Sequence, residues 1–280
     1  MIQLLVLIAF LSSCKEELAV TNENFTQENQ NINDTLKLVW SDEFDYKGAV
    51  DSSKWFHQTQ LPNGYAWYNN EIQHYTDRIE NAYVEDGVLN IAAINENYVD
   101  QKVVKPFSSA RLNSKFAFKY GRVETRAKLP KGEGTWPAIW LLGKNINEKG
   151  AYWQQLGHGD TAWPQCGEID IMEHWGTNQN FVQSAMHTPS SKGNTVNKGG
   201  QTIETVSDSF HVYTVDWTPE VITFSVDGKV HYEYAPEIRN DKTWPFDNEF
   251  YIILNLAIES MIERNGQEHL FEVDYVRVYQ

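Results

Sequence analysis

The sequence contains little cysteine, no excess of basic residues and no long hydrophobic run. Two cysteines occur in 280 residues, Cys14 and Cys166, so a disulfide framework does not define the fold. The 23 Lys and Arg residues are outnumbered by 38 Asp and Glu residues, and the net charge of −15 argues against a nucleic-acid partner, whose phosphates require cations. The apolar segment at residues 2–11 is too short to span a bilayer. A neutral polymer remains compatible with these features as a ligand.

The N-terminal residues are typical of a bacterial lipoprotein signal, which we assign to residues 1–13. Residues 2–11 fit the apolar h-region, and the LSSC tetrapeptide that ends at Cys14 resembles a lipobox, where the thiol is lipidated. The first three residues carry no basic side chain, which leaves an ordinary secretory signal as the alternative. Residues 14–35 are polar and predict a disordered tether after the lipidated cysteine. We therefore expect a lipoprotein at the bacterial outer membrane or cell surface, or otherwise a secreted protein.

Residues 36–280 have the pattern of a single β-rich domain. Ten Trp, 14 Tyr and 13 Phe residues supply large side chains of the kind that all-β cores use, and Cys166, without a Cys/His signature, is interpreted as a packed thiol. Residues 251–258 form a continuous apolar run, as in a strand buried on both faces. Asp-Gly turns and alternating segments predict strands at residues 88–91, 212–217, 221–226, 230–232 and 271–279. Many short strands at close spacing predict an all-β sandwich or jelly roll.

The densest polar chemistry is the segment GEIDIME, which ends at Glu173. Its carboxylates alternate with isoleucines, so Glu168 and Asp170 share the polar face of a strand. Strict alternation would bury Glu173 on the apolar face, and a β-bulge near Ile171 or Met172 would return it to the polar face. With the bulge, the Cα atoms of the two glutamates are roughly 13 Å apart, and side chains that lean inward can approach to about 5 Å.

This pair of glutamates has the separation used by retaining glycosidases. In that chemistry Glu168 would be the nucleophile and Glu173 the acid and base. Asp170 would orient Glu168, and its charge would help keep Glu173 protonated. The motif alone is also compatible with a solvated acidic strand face. A metal site is not favoured, because no histidine or further carboxylate lies at ligand spacing in the segment.

The segment resembles the active-site signature of glycoside hydrolase family 16, in the bulged form of the laminarinases (endo-β-1,3-glucanases) and the algal galactanases. The resemblance covers nearly all of residues 36–280. It rests on further segments in family order: WSDEF at 40–44, WYNNE at 67–71, SAR at 109–111, YGRVE at 120–124, GTWPAIWLLG at 134–143 and VDYVRVY at 273–279. It implies a β-jelly-roll sandwich with a concave substrate cleft, and a catalytic triad of Glu168, Asp170 and Glu173.

The resemblance also implies binding residues outside the triad. Trp136 and Trp140 project to one face of a strand, where a flat indole can stack on a sugar ring. The implied substrate-binding residues are Asn69, Arg111, Trp136, Trp140, Trp175 and His187. No cofactor is expected for the chemistry. A structural calcium ion is expected on the convex face, with the ligands Glu43, the carbonyl of Gly87 and Asp274.

Several functions remain open at this level. The favoured function is endo-hydrolysis of β-1,3-glucan such as laminarin, with mixed β-1,3/1,4-glucan as an additional substrate, because WPAIWLLG is closer to the laminarinases. The alternatives are an algal galactanase of the same family, a non-catalytic glycan-binding jelly roll and a transglycosylase. Residues 145–164 form a loop-like insertion that we expect to shape one end of the cleft. We expect a monomer that binds no nucleic acid and meets a membrane only through its lipid.

Overall fold

Two sheets, with eleven and seven strands and antiparallel at all but one pairing, make up nearly all regular structure of the protein in a computed structural model that describes residues 36–280. The predictions for residues 1–13, for lipidated Cys14 and for the tether at 14–35 fall outside the described residues. Within residues 36–280, no helix is long and apolar enough to cross a membrane. The fold is the predicted all-β jelly-roll sandwich.

The larger sheet follows the order β16-β15-β14-β9-β18-β6-β5-β2, with β1 paired to β18, β7 to β6 and β4 to β7. Its strands are β1 (Leu38–Asp42), β2 (Gly48–Ala49), β4 (Gln73–Tyr75), β5 (Ala82–Glu85), β6 (Val88–Asp100), β7 (Val103–Ser109), β9 (Gly121–Lys128), β14 (His211–Trp217), β15 (Ile222–Val226), β16 (Lys229–Tyr234) and β18 (His269–Tyr279).

The smaller sheet follows the order β13-β12-β11-β10-β17-β8-β3. Its strands are β3 (Trp55–His57), β8 (Arg111–Phe118), β10 (Thr135–Gly143), β11 (Glu168–His174), β12 (Phe181–His187), β13 (Lys198–Thr202) and β17 (Phe250–Ile258). One short helix, α1 (Tyr152–Gln155), and a 3₁₀ turn (Gly176–Asn178) flank β11 in the described residues.

Strand β17 illustrates how the sequence builds the two layers. All of its residues are buried, as the continuous apolar run predicts. Leu254 and Leu256 belong to the main core, which takes side chains from both sheets. Ile253 belongs to a second cluster, which contains buried Cys166 and packs against Trp140. Cys166 is buried, so the prediction of a packed thiol is confirmed, and burial raises the pKa of the thiol.

The predicted hairpin turns are also confirmed. Asp227 and Gly228 connect β15 to β16 with positive φ angles of 50° and 76°. Asp86 and Gly87 connect β5 to β6 with φ angles of 53° and 77°. Two consecutive residues in the left-handed region match the twist of the flanking strands, and Asp-Gly meets that requirement at low steric cost.

Candidate active site

Strand β11 carries the predicted catalytic carboxyl groups and contains the predicted bulge. The adjacent residues Ile139 and Trp140 of β10 pair with Met172 and Asp170, so Ile171 is an extra residue in β11. The register between β11 and β12 shifts by one residue at the same place. A bulge of this kind reverses the alternation of side chains beyond it. The sequence therefore predicted both the presence and the position of the irregularity.

The bulge brings the three carboxyl groups to one cavity. Glu168, Asp170 and Glu173 all line a cleft with a volume of about 440 Å³. The apolar side chains of Ile169 and Ile171 belong to the main core on the other side of the sheet. Strand β11 therefore has its predicted polar face toward the cleft and its predicted apolar face toward the core.

Each glutamate of the pair has its own indole donor. Trp163 donates through Nε1 to Oε2 of Glu168 at 3.0 Å, and Trp136 donates through Nε1 to Oε1 of Glu173 at 3.2 Å. Trp136 was predicted to stack on a sugar, and its hydrogen bond to a catalytic carboxyl group is an additional role. A hydrogen-bond donor favours the ionised form of a carboxyl group. The two indoles therefore lower the pKa of Glu168 and of Glu173 and partly offset the increase that burial causes.

His187 lies beside Glu168 and Asp170. Its Nε2 atom is 3.1 Å from Oδ2 of Asp170 and 3.6 Å from Oε1 of Glu168. The backbone N–H of Gly193 donates to Nδ1 at 3.1 Å, which assigns the hydrogen of the neutral ring to Nε2. Glu168, Asp170 and His187 also form a close group of possible metal ligands, but a nitrogen that carries hydrogen has no lone pair for a metal ion.

Burial raises the pKa of all three carboxyl groups to about 8. For Glu168 and Glu173, the charge of Asp170 raises the pKa further, while His187 lowers it. The raised pKa of Glu173 favours its protonated form at neutral pH, as a catalytic acid requires, whereas Glu168 must be ionised when it attacks.

The predicted substrate-binding residues divide into two groups. Four of them line the cavity: Asn69, Arg111, Trp136 and Trp140. The other two contact lining residues: the Trp175 ring lies 5.3 Å from that of Trp136, and His187 lies against the triad.

A buried ion pair lines the part of the cleft that contains Arg111. Nη2 of Arg111 donates to Oε2 of Glu148 at 3.1 Å, and both side chains are 6% exposed. Nε2 of Gln58 donates to Oε1 of the same carboxylate at 2.9 Å. The guanidinium lies over the rings of Trp67 and Trp140, at 5.4 and 4.9 Å from their centroids. Arg111 is therefore fixed by a carboxylate as well as by aromatic rings.

A second hydrogen-bonded chain holds Trp140. Its Nε1 donates to Oδ1 of Asn255 at 2.7 Å, and Nδ2 of Asn255 donates to the Tyr75 hydroxyl at 3.1 Å. That hydroxyl donates to Oε2 of Glu71 at 3.0 Å, where Gln73 also donates, at 2.7 Å. Burial raises the pKa of Glu71. The chain fixes the indole plane at the floor of the cleft.

The comparisons with known proteins agree with this geometry. The sequence pattern of Glycosyl hydrolases family 16 matches residues 73–277. The chain belongs to this family. A beta-glucanase of Rhodothermus marinus is 40% identical to the family 16 chain over 260 residues, which cover 87% of the chain and 85% of that protein.

Solved structures of family 16 enzymes superpose on the chain. A LamA variant from Z. galactanivorans, crystallised with laminaritriose and laminaritetraose, is 43% identical with a TM-score of 0.79, and the match covers 87% of this chain and 99% of that one. SCLam, a non-specific endo-beta-1,3(4)-glucanase of the family, is 35% identical with a TM-score of 0.78, and the match covers 88% and 91%.

The insertion at residues 145–164 forms one wall of the family 16 cleft, as expected. It contains α1 and an isolated parallel bridge between Ile146 and Thr161. It also supplies Glu148 and Trp163 to the cavity. Neither side chain was singled out from the sequence, because its role depends on how the insertion folds back over the sheet.

The side chains predicted to bind calcium contact arginines. Arg277 donates to both carboxylate oxygens of Glu43 at 2.7 to 3.2 Å, and Arg126 donates to Oδ2 of Asp274 at 2.5 Å. Gly87 lies in the turn between β5 and β6. The oxygen donors suit calcium. However, an arginine already occupies each of the two carboxylates, so these ligands fit a calcium ion poorly. Calcium binding stays a prediction.

The raised pKa values predict that stability falls as pH rises from about 4.5 to about 8. In this window the folded protein binds more protons at the triad than the unfolded chain, and each such group costs up to about 1.4 kcal/mol per pH unit. Asp170→Asn removes one of these groups. Urea unfolding at several pH values should show a smaller loss of stability in the variant, and parallel curves would contradict the prediction.

Breaking the buried ion pair should destabilise the protein. We expect Glu148→Ala to lower the free energy of unfolding by about 3–5 kcal/mol, because Arg111 is left as an uncompensated buried charge. Urea unfolding at neutral pH measures this change. The control is the double variant Arg111→Met with Glu148→Leu, which leaves no charge unpaired and should lose much less. A loss below about 1 kcal/mol in the single variant would show that the pair behaves like a surface ion pair.

Proposed function

We propose that this family 16 chain is an endo-acting, retaining glycosidase that cleaves β-1,3-glucan such as laminarin, and also mixed β-1,3/1,4-glucan. The observation that carries the proposal is the bulged strand β11, which directs Glu168 and Glu173 into one cleft. The substrate class is supported by the relatives, whose names and bound ligands are those of β-glucanases and laminari-oligosaccharides.

The mechanism follows from the positions of the two glutamates. The Glu168 carboxylate attacks the anomeric carbon while Glu173 donates its proton to the departing glycosidic oxygen. A covalent glycosyl-enzyme forms and one glucan fragment leaves. Glu173, now ionised, takes a proton from water, and the oxygen of that water displaces Glu168 from the anomeric carbon. Two inversions give net retention of configuration.

The neighbouring groups assign further roles. Asp170 lies between the glutamates along β11 and raises the pKa of both, so its charge helps Glu173 to hold the proton that it must donate. Nε2 of His187 lies 3.1 Å from Oδ2 of Asp170, within ion-pair distance of that carboxyl group. Trp136 and Trp140 supply flat apolar surfaces on the cleft floor for the faces of glucose rings.

The proposal is tested by product analysis on four polysaccharides. Reducing ends released from laminarin, lichenan, agarose and carrageenan are measured with purified protein. We expect cleavage of laminarin with early oligosaccharides of mixed length, and proton NMR should show the β-anomer first. Cleavage of a galactan alone would overturn the substrate assignment. Binding of laminarin without cleavage would indicate a glycan-binding protein, and sugar transfer without net hydrolysis would indicate a transglycosylase.

Attachment to a membrane is a separate part of the proposal. Its support is the LSSC tetrapeptide after the apolar residues 2–11, followed by the polar segment at residues 15–35. We place the protein at the bacterial outer membrane or cell surface as a monomeric lipoprotein. Labelling with a fatty-acid analogue should modify the wild type, and Cys14→Ala should abolish the label and release the protein. Secretion of both forms without label would support an ordinary signal peptide.

Calcium binding on the convex face is kept as a prediction. Its support is the strand pairing: Asp42, next to Glu43, pairs with Val276, and Leu89 of β6 pairs with Val273, next to Asp274. Calcium that binds the folded state should raise Tm, by about 2–4 °C for each kcal/mol of binding energy in a protein of this size. Thermal unfolding in calcium and in EDTA measures the difference, with Asp274→Asn as the matched variant. An identical Tm in both solutions would remove calcium from the proposal.

A further inference from the structure

The charged side chains of the cleft are almost all acidic. Among the described residues that line the cavity, five carboxyl groups accompany a single cation. These charged residues are Glu71, Glu148, Glu168, Asp170, Glu173 and the cation Arg111. Three of the carboxyl groups belong to the catalytic triad, Glu71 accepts the hydrogen bonds of the chain that holds Trp140, and Glu148 contacts Arg111.

Arg111 and the triad line the same cleft, on different strands of the smaller sheet. Glu173 pairs with Ala138, Ala138 with Asn255, and Asn255 with Arg111, in a row that runs across β11, β10, β17 and β8. Three strand spacings separate the ends of this row, which amounts to about 14 Å. An oligosaccharide bound across the strands from Glu173 would therefore reach Arg111 within about three sugar-sized steps along the cleft.

Glu148 changes what this cation can do. An isolated arginine in a cleft would attract sulfate or carboxylate groups on a glycan, since its planar fork matches both. Here Glu148 occupies the guanidinium at 3.1 Å, and both side chains are 6% exposed. A second anion at that position would meet the charge of Glu148 in an environment that water screens little. The hydroxyl groups of a neutral sugar meet no such repulsion.

We propose that Glu148 is a specificity-determining residue that restricts the cleft to neutral glucan by neutralising Arg111. This inference rests on the proposed β-glucanase function and deepens it, because it names which glucans the same site rejects. Glu148 comes from the insertion at residues 145–164, so the rejection of anionic glycans is a property of that insertion and not of the catalytic strand.

The test compares two substrates with one backbone, laminarin and carboxymethyl-laminarin. The measured quantity is the ratio of kcat/KM for the charged substrate to that for the neutral one, at about 20 mM salt, where surface charges are little screened. Glu148→Gln keeps the size of the side chain and a hydrogen-bonding oxygen. We expect this variant to raise the ratio at least tenfold, because Arg111 becomes available to the carboxymethyl groups.

The matched control is Glu249→Gln. Glu249 pairs with Lys144 on the surface and is 52% exposed, so the substitution changes the net charge by the same amount outside the cleft. We expect the control to leave the ratio unchanged. An equal rise in both variants, or an unchanged ratio in a Glu148→Gln protein with a cooperative unfolding transition, would overturn the proposal.

Two further measurements cover the cases in which the variant does not fold or the wild type does not cut laminarin. In the wild type, added salt should raise kcat/KM for carboxymethyl-laminarin more than for laminarin, because the salt screens repulsion. If no cleavage occurs, calorimetric binding of the two polymers to wild type and Glu148→Gln gives the same ratio as an affinity. Absence of cleavage then counts against the proposed function, whereas equal binding of both polymers by the wild type counts against the role of Glu148.

Discussion

Replacing Glu168 by serine should lower kcat on laminarin by at least about 10⁴-fold, because the covalent route loses its nucleophile. The serine hydroxyl is shorter and uncharged, so it neither reaches the anomeric carbon nor stabilises positive charge there. Initial rates of reducing-end release measure the loss, and an unfolding curve with a normal transition shows that the fold is retained. Azide offers a sharper readout, because it can enter the vacated space and attack the anomeric carbon once, which gives an α-glycosyl azide.

A Glu168→Ser enzyme that keeps more than about a tenth of its activity would contradict the assignment of the nucleophile. In that case Asp170, which lies next to Glu168 on the same face of β11, would be the first candidate for the role. The product of the azide reaction separates the cases, since a β-glycosyl azide would show that a covalent intermediate still forms.

Replacing Glu173 by glutamine should lower kcat on laminarin by about 10²–10⁴-fold, because the departing sugar is no longer protonated. The amide keeps the acceptor for the Trp136 indole, so the geometry of the cleft should be preserved. An aryl β-laminaribioside with an acidic phenol as leaving group needs little protonation. Formation of the glycosyl-enzyme from this substrate should therefore be much less affected by the substitution. Stopped-flow release of the phenol, in a burst followed by a slow phase, measures this difference.

The fate of azide distinguishes Glu173 from Glu168. In Glu173→Gln the covalent intermediate still forms, and azide attacks it without needing a base, so the product is a β-glycosyl azide. Equal losses on laminarin and on the activated substrate, with no rescue by azide, would argue that Glu173 has a structural role instead.

The elements that could be predicted from the sequence are those whose signals are local. The Asp-Gly turns, the apolar run of β17 and the alternation in β11 each predict their structure from a few neighbouring residues. The bulge was predictable because unbroken alternation would have buried Glu173 without a partner. The family motifs added the arrangement of the sandwich, which short-range patterns do not determine.

The parts of the site that were missed depend on contacts between distant residues. Glu148 reaches Arg111 across 37 positions of sequence, and Asn255 reaches Tyr75 across 180. No spacing rule links such residues, because their meeting depends on the conformation of an insertion or on strand order in the sheet. His187 on β12 was expected in the site only through the family resemblance, because the segment around Glu168 contains no signal for it. The arginines at Glu43 and Asp274 were likewise invisible in the sequence pattern.

The bulge in β11 reverses which side chains of the strand face the cleft. Before it, even-numbered positions face the cleft; beyond it, odd-numbered positions do, and His174 accordingly turns away to contact the backbone oxygen of Gln179 at 2.8 Å. A deletion that also flattens the bulge preserves the phase of Glu173, whereas a deletion that keeps the bulge turns this carboxylate into the core. A change in the length of β11 is therefore tolerated only together with a change in the bulge. A shorter strand without the bulge and a longer strand with it can both present the same pair of acids to a sugar.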